Sequence, residues 1–174
     1  IGYRGEKLIP FIYRLASERE KDFCSLVSNL RSIVPSVEDV VVEVDEKRGV
    51  IVLQIVEDGV PYSSRIISEG TLRVLAICAL AVNPWGGSLV GFEEPENGVH
   101  PRRLENIARL LTSMAFDQGR QVIVTTHSPR LVSIVNKLAR ENEEVGLFVC
   151  RKKYGATEIR RFKPVSGLDQ DKEI

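Results

Sequence analysis

Residues 88–101 read Ser-Leu-Val-Gly-Phe-Glu-Glu-Pro-Glu-Asn-Gly-Val-His-Pro, and this stretch limits the fold more than any other. An apolar run ending at Phe92 leads straight into two adjacent carboxylates, Glu93 and Glu94. A short apolar run bounded by turn residues reads as a strand buried on both faces, as in the middle of a parallel sheet. Charged side chains are rarely buried without a partner. Two glutamates at the end of such a strand therefore point to a cation or to chemistry. In open α/β sheets the ligand sits beyond the carboxyl ends of the strands, which is where this pair falls.

A second stretch, Gln121-Val-Ile-Val-Thr-Thr-His127-Ser-Pro-Arg130, is another apolar strand, ending in hydroxyls and a histidine. Between the two, Pro101 opens a helical pattern that runs to about Asp117, with Leu104, Ile107, Ala108, Leu110 and Leu111 on its apolar face. Strand–helix–strand connections favour parallel strands with their C-terminal ends on one edge. Glu93, Glu94 and His127 are thus expected on one rim.

Neighbours on a strand point to opposite sides, so the two glutamates are expected to have different tasks. One holds Mg²⁺, directly or through water; the other orients or deprotonates a water. A neutral His127 either donates to a phosphate oxygen or holds the attacking water. Against these stand plainer readings: exposed loop carboxylates and a satisfied strand-end histidine. Glu96, Asn97 and His100, together with Glu93, Glu94 and His127, also admit a metal-hydrolase reading, although their spacing matches no standard zinc pattern.

Upstream, Ser68-Glu-Gly-Thr-Leu-Arg73 precedes an apolar helix from Leu72 to about Val82. Ser68 is a natural N-cap, with Thr71 at the third helical position. A helix N-terminus with free N–H groups favours an anion, and Gly70 leaves room for a ligand to approach the backbone. The alternative is an ordinary capped core helix.

The first 35 residues have helical spacing, with Pro10 near a helix start or kink, a Ser17/Glu20 capping box and Pro35 as terminator. From Val37 to Val60 the period changes to that of a β-hairpin, turning at Lys47-Arg48-Gly49. Glu57-Asp58-Gly59 makes a second turn, into a third strand at Tyr62–Ile67. Ser128-Pro129 starts a last helix, and Val145–Arg151 and Thr157–Phe162 form two final strands. Arg151, Lys152, Lys153, Arg160, Arg161 and Lys163 gather there, either as a basic edge that blocks aggregation or as a contact to a nucleic-acid backbone. The last residues are polar.

Lys+Arg and Asp+Glu are equal at 24 each in 174 residues, which argues against a basic coat over the whole chain but not against a local patch. Cys24, Cys78 and Cys150 show no metal-type pairing and read as reduced core cysteines of a cytoplasmic protein. The apolar runs are far short of the roughly 20 residues of a membrane helix. The chain opens on Ile1, without a Met or a secretory signal, and is expected to be a fragment or an internal piece.

In this order the motifs resemble the second half of an ABC/SMC-type ATPase head. Ser68-Glu-Gly-Thr-Leu-Arg73 resembles the signature motif. Leu89–Glu94 is similar to Walker B with the catalytic glutamate. Glu96-Asn97-Gly98 stands at the D-loop position, and Thr125-Thr126-His127-Ser128-Pro129 resembles the switch-histidine loop. The Glu-Glu-Pro-Glu-Asn-Gly-x-His-Pro wording is similar to the branch with RecF-like ATPases and the ATPase part of overcoming-lysogenization-defect nucleases. The likeness spans about Ile67 to Phe162.

The resemblance implies an α/β, P-loop NTPase-like partial domain: a mostly parallel sheet with flanking helices plus an antiparallel hairpin region. The parts are a helical and hairpin segment at 1–66, an ATPase lobe at 67–163 and a polar tail at 164–174. It implies ATP and Mg²⁺ as cofactors, with Glu93 on the metal and Glu94 and His127 catalytic. Ser68, Gly70, Thr71 and Asn97 would bind nucleotide, Ser68 and Gly70 reaching the γ-phosphate held by a second head in a homodimer. DNA is a further partner; a membrane is not. One departure stands out: no Gly-x-x-x-x-Gly-Lys-[Ser/Thr] loop occurs, and Gly2-Tyr-Arg-Gly5-Glu-Lys7-Leu8 lacks its Gly-Lys pair. An upstream Walker A lobe is therefore an expected partner, and this polypeptide alone is expected to bind ATP poorly.

Overall fold

Helical spacing near the N-terminus yields two helices, α1 (Leu8–Glu18) and α2 (Glu20–Ile33), in a computed structural model that describes residues 6–162. The Gly2–Gly5 segment, Lys163 and the polar 164–174 tail lie outside the described residues. Leu8, Ile12 and Leu15 of α1 and Leu26, Leu30 and Ile33 of α2 are buried, one stripe per helix. Pro10 falls in the first turn of α1, where no intrahelical N–H is lost. The expected capping box does not form. Arg19 is the N-cap residue of α2, and the Ser17 hydroxyl donates instead to the Tyr13 carbonyl at 2.9 Å, one turn back in α1. Since α1 runs to Glu18, Ser17 is helical and cannot take the extended cap conformation.

The β-branched segment forms an antiparallel meander of β1 (Val37–Asp45), β2 (Val50–Glu57) and β3 (Val60–Ser63). Asp58 and Gly59 both have positive φ, 51° and 71°, as a tight two-residue hairpin requires. That early turn starts β3 at Val60, ahead of the expected Tyr62. Leu53 and Ile55 of β2 are buried, and β2 packs against α1.

The third helix, α3 (Glu69–Ala81), is buried along most of its length. Arg120 clamps its C-terminus, donating to the carbonyls of Leu80 at 2.8 Å and Asn83 at 2.5 Å, while Gln118 donates to that of Ala81 at 2.7 Å. After it, Trp85 meets Phe11 edge-on at 5.9 Å and lies under the Arg14 guanidinium at 4.1 Å, which ties the turn to α1.

The strand–helix–strand unit is present. β4 (Leu89–Glu93) and β5 (Gln121–Thr125) are parallel, with Leu89 opposite Gln121 and Glu93 opposite Thr125. Pro101–Arg103 forms a 3₁₀ turn that opens α4 (Leu104–Phe116), and α4 packs against β5. Contrary to the expectation from its apolar run, β4 is not buried on both faces. Leu89, Gly91 and Glu93 are exposed, as are Gln121, Ile123 and Thr125, while Val90 is buried and Phe92, Val122 and Val124 are half-buried. Exposure alternates in step on both strands, so one face is covered, α4 packing on β5, and among the described residues the other stays open.

The chain divides into two compact units after Thr126. The second holds α5 (Pro129–Glu141) and a hairpin of β6 (Phe148–Lys153) and β7 (Ala156–Arg161). Of the three cysteines only Cys78 is buried; Cys24 and Cys150 are exposed, contrary to the core reading of all three. Cys24 sits on the outer side of amphipathic α2 and Cys150 on the exposed face of the β6–β7 hairpin, so an apolar sequence neighbourhood did not mean burial.

Candidate functional site

The first turn of α3 is built around Ser68. Its side-chain oxygen accepts from the Thr71 N–H at 3.1 Å and lies 2.9 Å from the Thr71 hydroxyl, an N-cap that satisfies one orphan donor. Ser68 is exposed and Thr71 buried, so the cap faces solvent while its partner anchors it. Gly70 is needed for a close approach: a Cβ there would stand 1.9 Å from the Gly98 carbonyl oxygen. In this structure the approaching backbone is thus Gly98, itself left-handed at φ 73°.

Arg73, one turn further along α3, reaches across to the end of β4. Its guanidinium donates to the Glu94 carbonyl at 3.2 Å and the Glu93 carbonyl at 3.4 Å, and pairs with Glu69 at 3.2 Å. With the Gly70–Gly98 contact, this fixes the start of α3 to the loop after β4 at two points. The sequence reading gave Arg73 no role. Its one signal was the acid four residues before it on a helix, a spacing that also serves for ordinary surface pairs.

Glu93 and Glu94 part company at the strand end. Glu93 closes β4 on the open face, level with Thr125, and both are exposed. A carboxylate beside a hydroxyl is a hard oxygen donor set of the kind Mg²⁺ accepts. Glu94 has φ 46°, a left-handed conformation that costs a non-glycine residue of order 1 kcal/mol. Its N–H still donates to the Thr125 carbonyl at 2.9 Å, so the break in direction comes as the ladder ends. The Asn97 amide donates to the Glu94 carboxylate, and the Asn97 N–H to the Glu94 carbonyl at 3.1 Å. Asn97 therefore holds Glu94 by side chain and backbone together.

Glu96 turns the other way, accepting from the Thr126 hydroxyl and joining the ends of β4 and β5. His100 is a cap: its Nδ1 accepts from the Arg102 N–H at 3.2 Å at the start of the 3₁₀ turn. Among the described residues no three His, Cys, Asp or Glu side chains converge as a metal site. His127 is exposed and follows Thr126 directly, where the second unit begins. Ser128 beside it caps α5, accepting from the Leu131 N–H at 3.2 Å. The structure thus brings together Ser68, Gly70 and Thr71 with the Glu93–Gly98 loop through Arg73 and Gly98. A groove of about 950 Å³ runs along the same elements, lined by Leu72, Arg73, Ala76, Leu89, Phe92 and Glu93 among others.

Comparison with solved structures gives the same fold. One match, from work on "ATP-driven dimerization and DNA stimulated activation of SMC ATPases", has TM-score 0.58 at 10% identity, covering 88% of this chain and 89% of that one. The SMC head domain from Thermotoga maritima matches at TM-score 0.55 and 13% identity, covering 90% of this chain and 52% of that one. A Pyrococcus furiosus Smc head with an extended coiled coil, bound to the C-terminal domain of ScpA, matches at 0.61 and 13%, covering 90% and 40%. The chain thus spans about half the length of these last two, or less. Comparison with curated proteins gives no match. A family model described as "AAA domain, putative AbiEii toxin, Type IV TA system" matches residues 5–133. Since that match covers most of the chain and every motif from Ser68 to His127, the chain belongs to this AAA family and carries an ABC/SMC-type ATPase-head fold.

Proposed function

We propose that this chain is the signature-to-switch part of an ATP-hydrolysing head, acting with Mg²⁺ between two heads of a homodimer. The observation that carries the reading is Glu94, held by Asn97 just past a parallel strand and tied through Arg73 to the capped start of α3. When bound, the nucleotide supplies the phosphoanhydride and Mg²⁺ offsets its charge. Glu93 and Thr125 offer oxygens to the metal or to its waters. The Glu94 carboxylate accepts a hydrogen bond from the attacking water and then its proton, while Asn97 keeps that carboxylate in place. His127 donates to a phosphate oxygen.

Ser68 and the N-terminal turn of α3, with Gly70 and buried Thr71 behind them, meet the phosphate of a nucleotide held by the opposite head. Exposed Ser68 and the positive end of the helix suit that task. The phosphate-gripping lysine comes from a Walker A lobe outside this sequence. The cellular setting we assign is cytoplasmic, in DNA repair or phage defence. The family description, which names a toxin of a type IV toxin–antitoxin system, favours defence. The experiment is ATP turnover by the head completed with its Walker A lobe, wild type against Glu94→Gln. Turnover that needs Mg²⁺ and collapses in the variant supports the reading; equal turnover ends it.

The absence of a phosphate-loop sequence favours a second reading, a non-hydrolysing lobe that only docks a partner. Nucleotide titration of the intact protein separates the two, since a lobe that only docks a partner leaves nucleotide unbound.

A further inference from the structure

The β6–β7 hairpin is the most strongly charged element outside the site. Five cationic side chains, Arg151, Lys152, Lys153, Arg160 and Arg161, stand on it against one carboxylate, Glu158, in a chain whose net charge is zero. Glu158 is already taken by Arg160 at 2.6 Å. The register divides the cations between the two faces. Lys152 and Arg161 share one with Phe148, Cys150, Thr157 and Ile159; Arg151, Lys153 and Arg160 share the other with Val149, Ala156 and Glu158. All five are exposed. The tip is a tight turn of Tyr154 and Gly155, both left-handed at φ 51° and 84°. Tyr154 is 98% exposed, with the Lys153 ammonium 5.6 Å from its ring centre.

We propose that this hairpin is a ribbon that enters the major groove of double-stranded DNA. A surface that lies flat on phosphates needs cations on one side only. A ribbon inside a groove has a phosphate wall on each side, which fits cations on both faces. The B-form major groove admits a two-stranded ribbon and is about 8.5 Å deep. At about 3.3 Å per residue, the two steps from Arg151 to Lys153 plus the turn reach that depth. A-form RNA offers only a deep, narrow major groove that side chains cannot enter. Protection of an exposed edge accounts for lysines and arginines but not for an aromatic ring left wholly in water at the tip. Tyr154 is placed to contact base edges or methyl groups on the groove floor.

The test is fluorescence anisotropy of a labelled DNA duplex titrated with the chain, at several salt concentrations. Expected is salt-sensitive binding that Arg151→Ala/Lys152→Ala/Lys153→Ala weakens at least tenfold, with the salt slope reduced by roughly one for each phosphate no longer neutralised. Tyr154→Ala should weaken binding without changing the slope, and it keeps the test open if the triple variant fails to fold. An unchanged affinity in both variants overturns the proposal. So does equal or tighter binding to RNA duplex or to single strands, or binding to anionic vesicles but not to DNA. The inference stands apart from the ATPase reading: Glu94→Gln should leave duplex affinity unchanged.

Discussion

At the scale of single residues, Arg73 does more than its surface ion pair suggests. Exposed pairs such as Arg73–Glu69 contribute little, but the bonds to two carbonyls hold the loop that carries Glu94. Arg73→Ala should cost about 1–3 kcal/mol, as expected for hydrogen bonds to a charged group. It should also lower turnover more than it changes the KM for ATP, because those two bonds position Glu94 rather than bind nucleotide. Steady-state kinetics beside a urea titration would show both. Gly70→Ala should be worse tolerated than an exposed glycine: its Cβ meets backbone rather than a flexible side chain, and overpacking of that kind costs about 1–3 kcal/mol or more. Burial pushes the Cys78 thiol from 9.0 up to about 12. Its folded pKa lies above its unfolded one, so the stability it contributes is complete below pH 9.0 and is lost as pH rises through about 12. Cys24 and Cys150 should react with a thiol reagent in the native protein, and Cys78 only after denaturation.

At the scale of elements, α3 is held at both ends by other parts of the chain. Its last turn has no basic residue, and Arg120, just before β5, supplies the cation. Arg120→Ala should therefore destabilise by about 1–3 kcal/mol, readable as a lower urea midpoint at unchanged slope. For stability, Ser68→Ala removes a cap and should cost about 1 kcal/mol. These elements also mark what sequence could and could not reveal. The Ser68 cap, the Asp58-Gly59 turn and the Pro101 start were legible because each is decided within four residues. The Ser17 box failed because helix α1 ran on past Ser17. The open face of β4 was illegible for another reason: an apolar run records what a strand prefers to touch, not which neighbours cover it.

At the scale of the whole molecule, the order of motifs along the chain was enough to reach the superfamily fold, which the SMC heads share at 10–13% identity. The contacts that assemble the site were not legible, because they join residues 20 or more positions apart. Arg73 reaches Glu93 and Glu94, Gly70 receives Gly98, and Thr126 donates to Glu96. The first two depend on where the start of α3 meets the end of β4, and the third on how β4 and β5 end together, which no local pattern encodes. The same contacts underlie the proposed division of labour, with Glu93 at the end of β4 for metal and Glu94 in the loop after it for water. The most direct measurement is single-turnover ATP hydrolysis by the Walker A-completed head carrying Glu94→Gln, with nucleotide binding followed in parallel. Expected are retained binding and hydrolysis slowed by about 10²–10⁴-fold, the usual worth of a positioned general base. Hydrolysis at the wild-type rate with binding intact would contradict it.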